Sequence, residues 1–325
     1  MVVLVTGATG FLGPYVVEKL MSYHQAVRCL IHTPGTERIF KDSSIEIRYG
    51  DMLDIDALTE AAYGVDKVIH LADYHSYQLN KQTSNYTSDP NIVGTSNLLE
   101  ICQNQPNFNH FVLVSTLRSS RNPNSGLTYE KWCNEERVRN SGVPYTILRS
   151  SILFGESDSF TNSIASTIRA SAIVPVCGSG HNRIQPLAAE DLAECIYLTL
   201  NRGDLKNKTL DIGGSQQLSY NETIALISNV MGKNRISLHI PKWAIKPILL
   251  ALYLFPMSYN KNMERFNFAA DRDVTDRHSV NRYFGFTPKP LTGNIGYVNV
   301  AKVKNGLPFR DICPRVPRKF INFSG

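Results

Sequence analysis

The sequence predicts an α/β protein, a doubly wound parallel sheet followed by a smaller C-terminal lobe. Short aliphatic and β-branched runs alternate with longer stretches of helical periodicity through the first half, the pattern of successive β-α-β units. A glycine-spaced turn, Gly7-x-x-Gly10-x-x-Gly13, joins the first strand to the first helix. The chain has 325 residues, of which 42% are hydrophobic and 19% charged, which suits one large domain or one domain with a lobe.

The elements are expected in this order. Residues 2–6 are a strand, and 11–23 form a helix with Leu12, Val16, Val17, Leu20 and Met21 at helical spacing. Strands follow at 26–31 and 45–49, a helix at 55–62, and a fourth strand at 67–71. A long helix over 91–103 leads to a strand at 110–115, then a helix at 129–139 and a strand at 145–149. From about Leu153 the pattern loosens, with helices near 189–201 and 220–231, a strand at 209–212, and a Pro/Gly-rich tail from Phe284. Residues 1–152 are therefore read as the sheet core and 153–325 as a mixed lobe, some of whose segments return to the core. Ligands of open α/β sheets bind at the C-terminal strand edge, so the lobe is expected to shape a substrate pocket there.

The turn Thr6-Gly7-Ala8-Thr9-Gly10-Phe11-Leu12-Gly13 follows a strand and opens a helix, the context of a dinucleotide-binding Rossmann turn. The first glycine permits the tight turn, the second lets backbone approach a pyrophosphate, and the third lets helix and strand pack closely. The helix N-terminus adds free N–H groups and partial positive charge. The second strand ends Arg28-Cys29-Leu30-Ile31-His32-Thr33 without the acid that usually receives the ribose hydroxyls of NAD. His32, Thr33 and Arg38 can instead meet a 2′-phosphate, so the expected cofactor is NADP, with NAD the alternative. Asp51 and Met52, after the third strand, are placed by the adenine, and the Leu71–Ala72 backbone near the ribose.

A net charge of +6 is dispersed, with no run of five Lys or Arg. Nucleic-acid binding is not expected, whereas an anionic small ligand fits. Cys29, Cys102, Cys133, Cys177, Cys195 and Cys313 form no C-x-x-C pair and mostly sit in apolar stretches, which predicts free thiols in a reducing, cytoplasmic setting. The apolar start reads as a strand and not as a signal peptide. No metal-ligand histidine spacing and no Gly-x-Ser-x-Gly elbow occurs. The apolar stretch 243–255 is shorter than the roughly 20 residues of a membrane span. It is read as a buried or partner-facing helix, and 243–258 as the place of any membrane or subunit contact. A homo-oligomer is left open.

Several motifs resemble the extended and atypical short-chain dehydrogenase/reductases. They are the glycine turn, Gly50-Asp51 with Asp54, Gly64-Val65-Asp66-Lys67-Val68-Ile69-His70-Leu71-Ala72, and Asn91-x-x-Gly94-Thr95-x-Asn97-Leu98-Leu99. Ser141-Gly142-Val143-Pro144-Tyr145-Thr146-Ile147-Leu148-Arg149 and Gln185-Pro186-Leu187 with Asp191 are similar to NmrA-like members. Gly285-Phe286-x-Pro288 is similar to the subgroup holding the accessory subunit of respiratory complex I. The resemblance implies a Tyr-x-x-x-Lys pair and a Ser for proton movement during hydride transfer. Lys131 falls at the Lys position and Glu135 at a usual Glu, but Leu127 stands where the Tyr belongs. The nearest phenol is Tyr129, whose own +4 position is Cys133. Ser115 and Thr116 match the place of the Ser, Arg118 is a further ligand candidate, and Ser150 replaces the usual Pro after Arg149. Tyr74, His75 and Tyr77 are candidate pocket residues and alternative proton donors. Two functions follow. One is a reductase, or an epimerase or isomerase with transient hydride transfer, on a small carbonyl or sugar-like substrate. The other is a non-catalytic NADP(H)-binding scaffold, regulator or assembly factor.

Overall fold

The computed structural model describes residues 1–40, 42–73, 89–122, 127–241, 243–244 and 273–300. The first half builds β1 (Val2–Thr6), α1 (Gly13–Ser22), β2 (Ala26–Ile31), β3 (Glu46–Tyr49), α2 (Ile55–Ala62), β4 (Lys67–His70), α3 (Pro90–Gln103), β5 (His110–Thr116), α4 (Leu127–Asn140) and β6 (Tyr145–Ser150). Later come β7 (Leu153–Phe154), α5 (Ser159–Ala170), β8 (Ile173–Cys177), β9 (Arg183–Ile184), β10 (Leu187–Ala188), α6 (Ala189–Leu200), β11 (Lys208–Ile212), β12 (Leu218–Ser219), α7 (Tyr220–Val230), β13 (Ile236–Ile240), α8 (Ser279–Phe284) and α9 (Tyr297–Val300).

Seven strands form one parallel sheet in the order β11-β6-β5-β4-β1-β2-β3. The order reverses between β1 and β4, and a crevice opens there beyond the strand ends. The inner strands read as continuous apolar runs because helices cover both faces. On one face Val16, Val17 and Leu20 of α1 meet Leu192, Ala193, Cys195 and Ile196 of α6 over Val3, Val5 and Val112. On the other, Leu58, Leu98, Leu99 and Val138 from α2, α3 and α4 pack over Leu4, Val68, Phe111 and Ile147.

Helix starts are written locally. Asp54 accepts from the Asp56 and Ala57 N–H groups at the head of α2, and Asp89 accepts from Asn91 N beside Pro90 at the head of α3. Ser219 and Glu222 close a capping box on α7.

The expected doubly wound sheet is present. Within the later half, α6 and β11 join the sheet core, while α5, α7 and the paired strands β8–β13, β9–β12 and β7–β10 gather around a separate apolar cluster that includes Phe160, Ile164, Ile224 and Leu291. Those short strands and α5 were not anticipated from periodicity. Gln185, fully buried, ties this region together by donating to Gly214 O and accepting from Thr275 N. The expected apolar helix after Pro241 lies, beyond Trp243 and Ala244, outside the described residues, as do Cys313, Tyr74, His75 and Tyr77. Among the described residues no helix is long and apolar enough to cross a membrane, and no metal-holding cluster occurs. The described cysteines are free, and burial pushes the thiols of Cys29 and Cys102 up to about 12.

Candidate functional site

The glycine turn sits at the strand-order reversal. Gly7 takes φ +71°, and a Cβ there would lie 2.6 Å from Ala72 N and from the Leu71 carbonyl carbon. Any side chain would therefore push the turn away from the end of β4. A Cβ on Gly13 would lie 2.1 Å from Ala8 O, so the first turn of α1 closes on the loop only because Gly13 has none. Gly10, whose N–H donates to Gly7 O at 3.0 Å, is exposed at the lip, and Thr9, Phe11 and Leu12 are half-buried around it. No side chain caps the N-terminus of α1, and no acid occupies its first turn. Backbone donors, positive helix end and close-approach glycines together fit a dinucleotide pyrophosphate. The ring of Phe11 meets Tyr15 edge-on at 5.8 Å, and Tyr15 Oη accepts from Glu156 N, so the loop after β7 borders the turn.

Behind the turn runs a buried hydrogen-bond chain. The Thr95 hydroxyl donates to Asn91 O at 2.8 Å, so its oxygen is left to accept from His70 Nε2 at 3.0 Å. His70 Nδ1 then accepts from the Thr6 hydroxyl at 2.7 Å. Burial pushes the His70 imidazole down to about 3, so it is a neutral strut joining β1, β4 and α3.

At the adenosine end, His32 Nε2 lies 2.9 Å from Asp51 Oδ2, and Asp51 Oδ1 also accepts from Leu53 N. These two predicted contacts thus meet each other. Arg38, on the single turn Thr36–Ile39, is exposed and has no ion pair among the described residues. Met52 is only 6% exposed and packs under Gly94 of α3, where a Cβ would come within 2.7 Å of it, so its side chain joins the core cluster with Leu4 and Leu58.

α4 carries the remaining candidates. Lys131 Nζ donates to Asp73 Oδ2 at 2.8 Å, just past β4. Burial works against the ammonium, but the Asp73 carboxylate outweighs it and holds Lys131 above the ordinary lysine range. Glu135, one turn on and fully buried, anchors the helix. It accepts from Arg149 at 2.6 Å, Arg139 at 2.8 Å and the Ser115 hydroxyl at 2.6 Å. Burial opposes its charge, yet those donors hold its carboxyl below the usual range. Ser115 therefore faces the helix anchor, while Thr116 stays half-buried at the strand end and accepts from Arg118 N.

Tyr129 is not brought to Lys131. Two residues on a helix are separated by about 200°, so it projects from the opposite side. There it stacks on Trp132 at 5.6 Å and hydrogen-bonds Cys133.

A model of the NAD dependent epimerase/dehydratase family matches residues 3–213, more than half of the 325-residue chain. The chain belongs to that family. Quinone oxidoreductase 2 of Escherichia coli is 23% identical over 233 residues, covering 71% of this chain and 75% of that one. Photosystem II assembly factor Ycf39 of Trieres chinensis is 24% identical, covering 87% and 85%. Mitochondrial NADH dehydrogenase (ubiquinone) 1 alpha subcomplex subunit 9 of Dictyostelium discoideum is 27% identical over 238 residues, 70% of this chain but only 63% of that relative. Among solved structures, UDP-glucose 4-epimerase of Thermotoga maritima superposes with a TM-score of 0.70 at 18% identity, covering 92% of this chain and 98% of that one. The NADPH-dependent quinone oxidoreductase of Escherichia coli gives 0.68 at 18% identity, covering 92% and 98%. At such identities the likeness is one of fold. The chain is accordingly a member of an NAD(P)-binding family of the epimerase/dehydratase type, and its relatives include a subunit and an assembly factor of larger complexes.

Five residues of the site were given no role by the sequence reading. Asp73 gave no signal beyond its place after β4, and the His70–Thr95 link needs the sheet and α3 together. Glu130 and Asn134 look like solvent residues on a polar helix, yet they are 3% and 5% exposed.

Proposed function

We propose that this family member is an NADP-dependent reductase, or an epimerase working through transient hydride transfer, on a small carbonyl or sugar-like substrate. One observation carries the reading: an open glycine cradle and a charged Lys131 share one sheet edge. The dinucleotide would supply or accept hydride there. Gly7, Thr9, Gly10, Phe11, Leu12 and Gly13 would hold its pyrophosphate, the Leu71–Ala72 backbone its ribose, and Arg38 with His32 a 2′-phosphate. Asp51 would balance His32 and face the adenine. Lys131 would hold the nicotinamide ribose and, with Leu127 in place of a phenol, give the proton to the substrate oxygen. Thr116 is the better-placed hydroxyl for that oxygen, because Ser115 donates to Glu135. The lobe after residue 152 would choose the substrate. The free, mostly buried thiols support a reducing compartment such as the cytoplasm. The test is oxidation of NADPH by the purified protein with a panel of carbonyls and quinones, and its loss in Lys131→Met. An inert wild-type protein across the panel sinks the enzyme.

A specific feature favours the second reading, a non-catalytic NADP(H)-binding scaffold or assembly factor. The register of β8 and β13 puts Ile173 beside Ile236 and Pro175 beside Leu238. Ile173 is 48%, Ile236 70%, Leu238 52% and the following Trp243 80% exposed. A face of this kind suits a subunit, a membrane surface or a second copy. Ile236→Asp with Leu238→Asp should leave NADPH binding unchanged and lower the sedimenting mass if that face pairs two copies.

A further inference from the structure

Glu130 lies one residue from Lys131 and is buried to 3%, with Asn134 one helical turn later at 5%. Asn91, at the head of α3, hydrogen-bonds the Glu130 carboxyl from one side. Among the described residues the other oxygen, Glu130 Oε1, and Asn134 Oδ1 have no hydrogen-bond partner, and both are sealed from solvent. At i and i+4 they share one face of α4, and buried oxygens that can only accept are costly there, since each forfeits its hydration without return. A single proton on Glu130 removes the conflict, because a carboxylic O–H can donate to the Asn134 oxygen.

We propose that Glu130 stores a proton behind Lys131, as a buried carboxylic acid hydrogen-bonded to Asn134, and passes that proton to Lys131 when the reaction draws one. This rests on the reductase reading above. As hydride reaches the substrate carbonyl carbon, Lys131 Nζ loses a proton to the carbonyl oxygen, forming the alcohol. The neutral Lys131 amine takes the Glu130 proton, which leaves a carboxylate beside the restored ammonium. Between turnovers the part-exposed Lys131 passes a proton back to Glu130 and takes another from solvent. Glu130 acts through Lys131, so it is a positioning and proton-storing residue.

The electrostatic surroundings agree. Burial, then Asp73 at the end of β4, raises Glu130 to about 7, with Asp89 before α3 adding to the rise. Lys131 and the Asn91 hydrogen bond oppose it. His70, on the neighbouring strand, is neutral and adds no charge. A group poised at neutral pH is suited to giving and regaining a proton.

The test is infrared spectroscopy of the full chain in heavy water. Wild type should show a protonated-carboxyl band that fades as pH rises through neutrality and is missing from Glu130→Gln. Lys131→Met should move that fading to higher pH, because the opposing ammonium is gone. On a substrate that is turned over, Glu130→Gln should lower kcat more than KM and remove the inflection near neutral pH. Equal bands in wild type and Glu130→Gln overturn the proposal, as does a band indifferent to Lys131→Met. A flipped Asn134 amide facing a carboxylate would give the first of these results. Should Glu130→Gln fail to fold, Glu130→Asp keeps an acid and must shift the band. A wild-type protein inert toward every carbonyl, but with the band and its shift intact, defeats the reductase reading and with it the transfer step, while the stored proton stands.

Discussion

The glycine turn and the facing side of α4 border the same crevice but are built in opposite ways. The turn works through backbone: Gly7 and Gly13 are needed because neighbouring main chain lies where a Cβ would go. The α4 side works through side chains from distant parts of the chain, with Glu135 bound to β5 and β6, Lys131 to the end of β4, and Glu130 to α3. A backbone device has few chemical alternatives, so it keeps a readable spacing. A side-chain network can exchange partners, which is how this chain can carry Leu127 in place of a phenol and still position a lysine.

If the α4 side is one coupled network, its anchor should be the most damaging place to cut. Glu135→Ala leaves Arg149, Arg139 and Ser115 without their shared acceptor. Removing one partner of a buried ion pair costs about 3–5 kcal/mol, and a loss of that size is expected in urea unfolding. Glu135→Gln should retain part of it. A loss under about 1 kcal/mol for Glu135→Ala would mean that α4 is held by packing alone. The turn should break differently. Gly13→Ala puts a methyl against Ala8 O and should cost about 2–3 kcal/mol through a shifted loop. NADPH fluorescence enhancement should disappear along with it, whereas Glu135→Gln should spare dinucleotide binding.

The contrast also explains what could be read in advance. The parallel sheet was legible because buried strands such as 110–115 are uninterrupted apolar runs between helices. The lobe was not, since β7, β9, β10 and β12 are two residues each and too short to show any periodicity. Within the site, Gly7, Gly10 and Gly13 could be assigned from spacing, and Lys131 from its distance to Ser141-Gly142. Met52 could not be placed from spacing, because a residue after a strand can turn either to the crevice or to the core, and only the close approach of Gly94 shows its packing on α3. Glu130 was invisible because helix α4 has little amphipathic pattern: charged residues lie all around it, and only the approach of α3 determines which of them is buried.

A smaller effect sharpens the α4 side through pH. Glu130 is raised from the usual 4.5 to about 7, so the folded chain binds a proton that the unfolded chain has released between those values. Stability therefore falls as pH rises across that window, and above it the ionised, buried carboxylate remains a burden. The linkage is on the order of 3 kcal/mol. Glu130→Gln cannot ionise, so its stability relative to wild type should climb from about pH 4.5 to pH 7 and then level off. Parallel urea curves at every pH would show that Glu130 titrates normally in the folded chain.

The smallest effect tests the turn side at its adenosine end. Arg38 is exposed and without an ion pair among the described residues, while His32 Nε2 lies 2.9 Å from Asp51 Oδ2. Of the two side chains placed near a 2′-phosphate, Arg38 is then the one with charge to spare. Arg38→Ala should weaken NADPH about tenfold, close to 1.4 kcal/mol, and leave NADH nearly unchanged. Titration calorimetry with both dinucleotides reads the difference directly. Equal losses would put Arg38 on the shared pyrophosphate, and no loss in either would move the NADP preference to His32 and Thr33. In that last case Asp51→Asn should strengthen NADPH, because it removes the negative charge that His32 now faces.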